Sequence, residues 1–182
     1  HAEKSLFGGF CYFNNCAIAA ERLSKTGTVA ILDLDYHHGN GQQQIFYSRS
    51  DVLTISIHGH PSFAYPYFSG FDDEKGEGEG LGYNYNFPLP ETVSYENYLK
   101  VLRKCTGIVD KFKPDFLIIP LGLDTAKNDP TGSWGFTYED FFKTGNVLGK
   151  LKYPVLVIQE GGYKTNTLGY YAKYFFRGFY KG

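Results

Sequence analysis

The sequence lacks methionine entirely and contains little cysteine. Because even position 1 is His1 rather than methionine, we expect that the chain does not begin at a natural start and is the C-terminal part of a longer protein. The three cysteines, Cys11, Cys16 and Cys105, are too few and too scattered for a disulfide framework. Reduced thiols in a cytoplasmic protein are the expectation that follows.

The sequence also has no excess of charge of one sign and no long apolar run. The net charge is -1 at pH 7, from 18 basic and 19 acidic residues, so the basic surface of a nucleic-acid-binding protein is not expected. No apolar run approaches the roughly 20 residues that cross a bilayer. We therefore expect neither a nucleic acid nor a membrane as a partner. A length of 182 residues suits one globular domain with a sizeable core.

Four short, nearly continuous apolar runs predict strands that are covered on both faces. Helical patterns alternate with these runs, which predicts an α/β fold with an open, mostly parallel sheet flanked by helices on both faces. The stretch 59–93 is rich in Gly, Pro and aromatic residues and is predicted to be irregular. The predicted strands are 28–35, 52–58, 115–124 and 153–162, and the predicted helices are 14–25, 94–113, 137–151 and 167–182.

Polar residues suited to chemistry follow the predicted strands, and sites in open α/β sheets form outside the carboxyl ends of strands. In the segment ILDLDYHHGNG (31–41), Asp33, Asp35 and His37 alternate, so we expect them to point to the same side of an extended backbone. Asp124, at the end of the third strand, would complete a three-ligand set with Asp35 and His37 that leaves a position open for water and substrate. Oxygen and nitrogen ligands together suit Zn²⁺, with Fe²⁺, Co²⁺ or Mn²⁺ as alternatives.

Two other interpretations of the Asp-x-Asp-x-His pattern stay open at this point. The pattern by itself also fits a strand-end turn in which a buried aspartate caps a loop, because short motifs match by chance. Phosphotransferases with an aspartate nucleophile also use Asp-x-Asp, although the His-His pair that follows is foreign to that chemistry. The pattern alone does not decide between a metal site and these alternatives.

Four motifs in a fixed order resemble the zinc-dependent histone deacetylase family: GGFCYFNNCAIAA, ILDLDYHHGNG, LGLDTAKNDP and QEGGY. The resemblance extends over essentially the whole chain and is nearest to the bacterial acetylpolyamine amidohydrolases and class II-like deacetylases. It implies the arginase-deacetylase fold, with 1–182 as a catalytic domain whose N-terminal portion is missing. It also implies that Asp35, His37 and Asp124 bind the metal for hydrolysis of linear acetylated amines.

The resemblance further implies a role for each residue around the metal. His1 would be the general base, and Tyr163 would donate a hydrogen bond to the developing oxyanion. Asn40 would hydrogen-bond His1, whereas His38 would be buried beside the site without binding metal. Asp33 would orient a second histidine upstream of His1. The implied substrate channel is formed by Gly9, Phe10 and Tyr65, and the implied ligands of a structural K⁺ are Asp33, Asp35, His37 and Ser56.

The substrate implied by the resemblance is an acetylpolyamine or another small acetylated amine. Acetyl-lysine in proteins is the alternative within the same chemistry. An alternative of another class is a catalytically inactive, deacetylase-like binding or regulatory protein, against which the presence of the ligands, Asn40 and Tyr163 argues. The sequence leaves a homodimer open.

Overall fold

Parallel strands form a single central sheet. The computed structural model describes residues 1–182. The strands are β1 (Val29–Asp33), β2 (Val52–Gly59), β3 (Asn84–Leu89), β4 (Phe116–Leu121) and β5 (Val155–Gln159). They lie in the order β3-β2-β1-β4-β5, and each neighbouring pair is parallel. The helices are α1 (Asn15–Leu23), α2 (Asn40–Phe46), α3 (Tyr95–Phe112), α4 (Tyr138–Leu148) and α5 (Thr165–Phe179). The predicted α/β fold with an open parallel sheet is confirmed.

Successive residues of β1 pack against opposite layers of helices. Val29 and Ile31 pack with side chains of α1 and α2. Ala30 and Leu32 belong to the larger cluster that includes side chains of α3, α4 and α5. Because both faces of the strand are covered, every residue of β1 is buried, which is why its sequence is continuously apolar up to Asp33.

Side-chain caps set the beginnings of two helices close to the predicted positions. Asn14 Oδ1 accepts the N–H of Ala17 at 2.8 Å, so α1 begins directly after Asn14. At the start of α4, Asp140 Oδ2 accepts both the N–H and the O–H of Thr137, at 2.9 and 2.7 Å. Such caps pair polar groups that have no partner inside the helix.

The prediction that 59–93 contains no regular element is wrong. This stretch includes β3 and a short 3₁₀ turn at Gly78–Gly80. β3 pairs with β2, yet its inward side chains include Asn84 and Asn86, which are buried and hydrogen-bonded rather than apolar. Helix α2 was not predicted either. Its buried residues include Gln42 and Gln43, so the sequence shows no apolar helical pattern there.

The prediction of continuous burial is also wrong for β5. This strand lies at an edge of the sheet, and the Leu156 side chain is 42 % exposed, whereas every residue of β2 is buried. Val155 and Val157 still pack against the larger hydrophobic cluster, so one face of β5 is covered. None of the helices combines the length and the hydropathy that a membrane crossing requires.

Candidate metal centre

Hydrogen bonds, rather than strand pleating, bring Asp35 and His37 together after β1. The strand ends at Asp33, so the expected alternation along an extended backbone does not continue to these residues. Asp33 Oδ1 instead accepts the N–H of Asp35 at 3.0 Å, and Asp35 Oδ1 accepts the N–H of His37 at 2.8 Å. These are two successive turns of the kind that aspartate side chains form with the backbone two residues on. They fold the chain so that both side chains point toward the end of β4.

Asp124 reaches this cluster from the loop that follows β4. Its side chain is fully buried. Asp124 Oδ1 accepts the N–H of Tyr36 at 3.0 Å, and Asp124 Oδ2 lies 3.0 Å from His37 Nδ1. One potential ligand atom from each of Asp35, His37 and Asp124 lies within 4.8 Å of the others. The structure therefore brings together the three residues that the sequence marked as ligands.

Charge in this cluster is unbalanced without a cation. Burial, together with the charge of Asp35, raises the pKa of Asp124 to about 7. Burial alone would lower the pKa of His37, but hydrogen bonds with Asp124 and Asp35 outweigh it and raise that pKa to about 10. The proton on His37 thus offsets one of two buried carboxylates. A divalent cation would offset both, and the mixed oxygen and nitrogen donors suit zinc and related metals, so the residues present fit such a metal.

Gly161 keeps the space above the two carboxylates clear. A Cβ at this position would lie 2.6 Å from Asp124 Oδ2 and 2.7 Å from Asp35 Oδ2, closer than carbon and oxygen can approach. With no side chain in the way, the Gly161 N–H donates to Asp35 Oδ2 at 2.7 Å. A glycine is therefore required here by the carboxylate pair itself.

His1 is held in one tautomer by Asn40. His1 Nδ1 lies 2.7 Å from Asn40 Oδ1, and the Asn40 amide group donates to Glu3 Oε1 at 2.9 Å. A carbonyl oxygen only accepts hydrogen bonds, so His1 Nδ1 carries the hydrogen and Nε2 keeps its lone pair. The neutral imidazole is thereby set up to accept a proton through Nε2.

The His1 ring packs directly on the backbone of Gly9. A Cβ on Gly9 would overlap the His1 ring, and Gly9 has φ +55°, a conformation that side chains disfavour. Gly9 thus meets both conditions under which glycine is needed. The next residue, Phe10, also has positive φ and is 86 % exposed, so its ring projects from this turn.

An open cavity of about 380 Å³ extends outward from this arrangement. Tyr65 packs edge-on against His1, with ring centroids 4.8 Å apart, and Phe10 packs against Tyr163 at 5.8 Å. Aromatic walls with a few polar groups at the base suit a slender, largely apolar ligand. The cavity is lined by His1, Gly9, Phe10, His37, Tyr65, Thr131 and Tyr163.

Tyr163 follows the two glycines after β5 and precedes α5. Gly162 has φ +142° and turns the chain toward the cavity. Burial and the nearby carboxylates of Asp35 and Asp124 raise the pKa of Tyr163 to about 12. The phenol therefore stays protonated near neutral pH and can donate a hydrogen bond.

The family model for the histone deacetylase domain matches residues 1–179. The chain belongs to the histone deacetylase family. Two relatives agree with this membership. Acetylpolyamine amidohydrolase 2 of Pseudomonas aeruginosa is 45 % identical over 181 residues, which is 98 % of this chain and 53 % of that protein. Histone deacetylase 6 of Caenorhabditis elegans is 37 % identical over 176 residues, covering 92 % of this chain and 18 % of that protein.

Similarity in three dimensions within the histone deacetylase family is equally extensive. The crystal structure of acetylpolyamine aminohydrolase from Burkholderia pseudomallei superposes with a TM-score of 0.96 at 45 % identity. The match covers 98 % of this chain and 53 % of that structure. The chain thus spans about half the length of the acetylpolyamine amidohydrolases that it matches.

His38, Asp33 and Ser56 lie next to the deacetylase-family cluster but outside it. His38 is buried and points away, with Nε2 donating to Gln43 Oε1 at 3.0 Å. Asp33 and Ser56 face each other in register on β1 and β2, and both are buried. Burial and the charge of Asp35 raise the pKa of Asp33 well above its usual range. The assignment of K⁺ to these residues stays a prediction.

Two residues at this site were not singled out from the sequence. Thr131 lines the cavity, and no motif marked it. Asp129 is buried and hydrogen-bonds to the segment that carries Tyr163. Asp129 lies within the motif LGLDTAKNDP, so its position in that motif was the available signal.

Proposed function

We propose that the intact protein hydrolyses small acetylated amines, releasing acetate and a primary amine. The observation that carries this proposal is the Asp35–His37–Asp124 cluster, whose His37 lines a cavity together with His1 and Tyr163. The similarity to acetylpolyamine amidohydrolases supports acetylpolyamines as the substrate class.

Asp35, His37 and Asp124 would hold the divalent metal, for which zinc is our assignment. Such a metal, when bound, polarises the acetyl carbonyl and lowers the pKa of a water molecule toward about 7. The side chains of these three residues are at most 12 % exposed, and His37 also lines the cavity. We also propose a structural K⁺ next to this site. Its ligands would be Asp33, Asp35, His37 and Ser56.

His1 supplies the proton transfers in the proposed reaction. Its Nε2 accepts a proton as water attacks the acetyl carbon and the carbon–oxygen bond forms. The same proton then passes to the amine nitrogen as the carbon–nitrogen bond breaks. Asn40 keeps the imidazole in the tautomer that this requires, since Nδ1 donates to Asn40 Oδ1.

Tyr163 stabilises the negative charge that develops on the carbonyl oxygen. Its phenol remains protonated because burial and the carboxylates raise its pKa to about 12, and it can therefore donate a hydrogen bond throughout. Phe10 and Tyr65 hold the carbon chain of the substrate between their rings and exclude water from the scissile bond.

Replacing Tyr163 with Phe tests this function directly. We expect kcat on an N-acetylated polyamine to fall about 100- to 1000-fold, because one donor to the oxyanion is lost. Metal content should stay unchanged, since the phenol is not part of the ligand cluster. Tyr180→Phe, which alters a tyrosine that is 86 % exposed, is the matched control and should keep full activity. Full activity in Tyr163→Phe would contradict the proposal.

Protein acetyl-lysine is the second candidate substrate, favoured by the 37 % identity to histone deacetylase 6. A parallel assay of the intact protein on an acetylpolyamine and on an acetyl-lysine peptide separates the two. A higher kcat/KM on the peptide would overturn our substrate assignment while leaving the reaction intact. Turnover of neither substrate with metal bound would favour the inactive, deacetylase-like binding protein instead.

A further inference from the structure

The Asp129 carboxylate joins two segments that line the substrate cavity. Asp129 Oδ2 accepts the N–H of Tyr163 at 2.7 Å and the N–H of Lys164 at 3.2 Å. Asp129 Oδ1 accepts the N–H and the O–H of Thr131, at 2.9 and 2.8 Å. Thr131 and Tyr163 both line the cavity. One buried side chain thus binds the backbone of both, with all four hydrogen bonds made to its two oxygens.

We propose that Asp129 is a positioning residue that fixes the Tyr163 phenol for catalysis, an inference that rests on the function proposed above. The segment needs such support because Gly161 and Gly162 precede Tyr163 and restrict the backbone little. On the side of β5, Gly161 is anchored by its N–H bond to Asp35 Oδ2. On the side of α5, the anchor is Asp129.

Helix α5 begins without a cap of its own. Lys164, the residue before its first turn, makes no capping hydrogen bond with its side chain. Asp129 accepts the Lys164 N–H from a distant loop, and it places a carboxylate beside the N-terminal end of α5, where negative charge is favourable. The start of the helix and the backbone of Tyr163 are therefore fixed by the same group.

The Tyr163 side chain gains its position mainly from this backbone. The residue is 38 % exposed, and its ring packs edge-on against Phe10, which is itself largely exposed. A small shift of the backbone would therefore carry the phenol with it. Displacement of a reacting or stabilising group by about 1 Å can cost about 100-fold in rate.

Asp129→Asn changes this support without removing volume. An amide presents one oxygen and one NH₂ group, so one of the two donor pairs faces another donor instead of an acceptor. We expect kcat to fall about 10- to 100-fold, with a smaller change in KM and unchanged metal content. Hydrogen exchange at the amides of Tyr163 and Lys164 should become faster.

Asp140→Ala is the control in the same protein. Asp140 accepts the N–H and the O–H of Thr137 through one oxygen at the start of α4, which asparagine could still supply. Alanine removes that oxygen and so breaks the same type of contact at a helix outside the cavity. We expect a comparable loss of stability with unchanged kcat. An equal loss of kcat in both variants would overturn the positioning role, because general destabilisation would then account for it.

A double-mutant cycle distinguishes positioning of Tyr163 from any other effect. If Asp129 acts through the phenol, Asp129→Asn should lower kcat in the wild type but not in the Tyr163→Phe background. Equal losses in both backgrounds would overturn the proposal. Turnover by the wild type and by Asp140→Ala shows that the proposed function holds. Normal kcat in Asp129→Asn then contradicts only this inference. Absence of turnover in the wild type contradicts the function itself.

Discussion

His37 and His38 are adjacent in the chain, yet their rings enter two different environments. His37 turns toward the carboxylates of Asp35 and Asp124, whose hydrogen bonds overcome the effect of burial and raise its pKa to about 10. His38 turns to the other side, where burial and the neighbouring His58 hold its pKa well below the usual range. Neighbouring histidines can therefore differ completely in charge, because the chemistry of their partners decides it.

Each environment is completed in a different way. In the region of His38, Nε2 donates to Gln43 and Nδ1 accepts from Ser69. His58 has the same pattern, because its Nε2 donates to the Gly70 carbonyl and its Nδ1 accepts from Ser56. Both rings are neutral and fully paired, so this region needs nothing from outside. The region of His37 has one imidazole against two buried carboxylates, a set whose charge a bound cation would balance. Buried polar groups whose hydrogen bonds are all satisfied indicate a structural role. A buried cluster with excess negative charge indicates a binding site for a cation.

Asparagine substitutions at the two histidines should give the largest contrast. We expect His37→Asn to lose bound metal and more than about 100-fold in turnover, since even loss of a partner that supports a ligand costs about 10- to 100-fold. His38→Asn should keep its metal and its turnover per folded molecule but unfold more easily. Metal analysis, kinetics and denaturant unfolding measure the three properties. Loss of metal in His38→Asn alone would reverse the assignment of the pair.

Acid should destabilise the folded protein through the two buried neutral histidines, His58 and His38. Burial lowers the pKa of His58 from 6.5 to about 4, so below pH 6.5 the unfolded chain binds a proton that the folded chain refuses. The contribution of His58 to stability should be intact above pH 6.5 and be lost as the pH drops toward 4, which amounts to about 3 kcal/mol. His38, whose pKa is also lowered by burial, should add to the loss in the same direction. Urea unfolding across this range measures it.

The comparison that tests this assignment uses two histidine variants. His58→Gln should make the pH dependence shallower, because His38 is then the only buried histidine of this region that can titrate. His60→Gln, at a more open position where the ring bonds Ser62, should change the slope much less, because His60 is only a minor cause of the lowered pKa of His58. Identical slopes in wild type and His58→Gln would show that another group is responsible.

A single hydroxyl should give the smallest effect. Ser69→Ala removes the donor to His38 Nδ1 and leaves that buried nitrogen unpaired, which should cost about 1 kcal/mol in the free energy of unfolding. Ser62→Ala removes the equivalent donor from the more open His60 and should change stability little. Similar losses in the free energy of unfolding for both variants would mean that burial does not determine how much each serine–histidine hydrogen bond contributes.

The sequence predicted those parts of the molecule that follow from apolar pattern and from motif. Continuous apolar runs mark buried strands, so β1, β2, β4 and β5 were predicted. The cluster of Asp35, His37 and Asp124 was predicted because polar residues follow those strands, and its role as a ligand set stays a prediction. β3 and α2 were not, because Asn84, Asn86 and Gln43 fill their buried positions with amides that pair only with one another and with distant groups. No short sequence pattern predicts hydrogen bonds between residues that are far apart in the chain.

The way in which the ligands meet was also beyond pattern reasoning. Alternation along a strand was the expected cause, but side-chain bonds of Asp33 and Asp35 to the backbone are the actual one. Thr131 lines the cavity only because Asp129 folds its loop, and no periodicity reports a loop conformation. Residue identity was thus predictable, whereas the contacts that place each residue were not.

The hydrogen bond from Gly161 to Asp35 also has a consequence for folding. It joins residues 126 positions apart, and the bond from Tyr36 to Asp124 spans 88 positions. Closing such long loops is entropically costly and comes late in folding. The cluster therefore cannot assemble from any local piece of chain, and competence to bind metal should appear only when β4 and β5 have docked beside β1. The rate of metal binding during refolding would then report the rate of the final folding step.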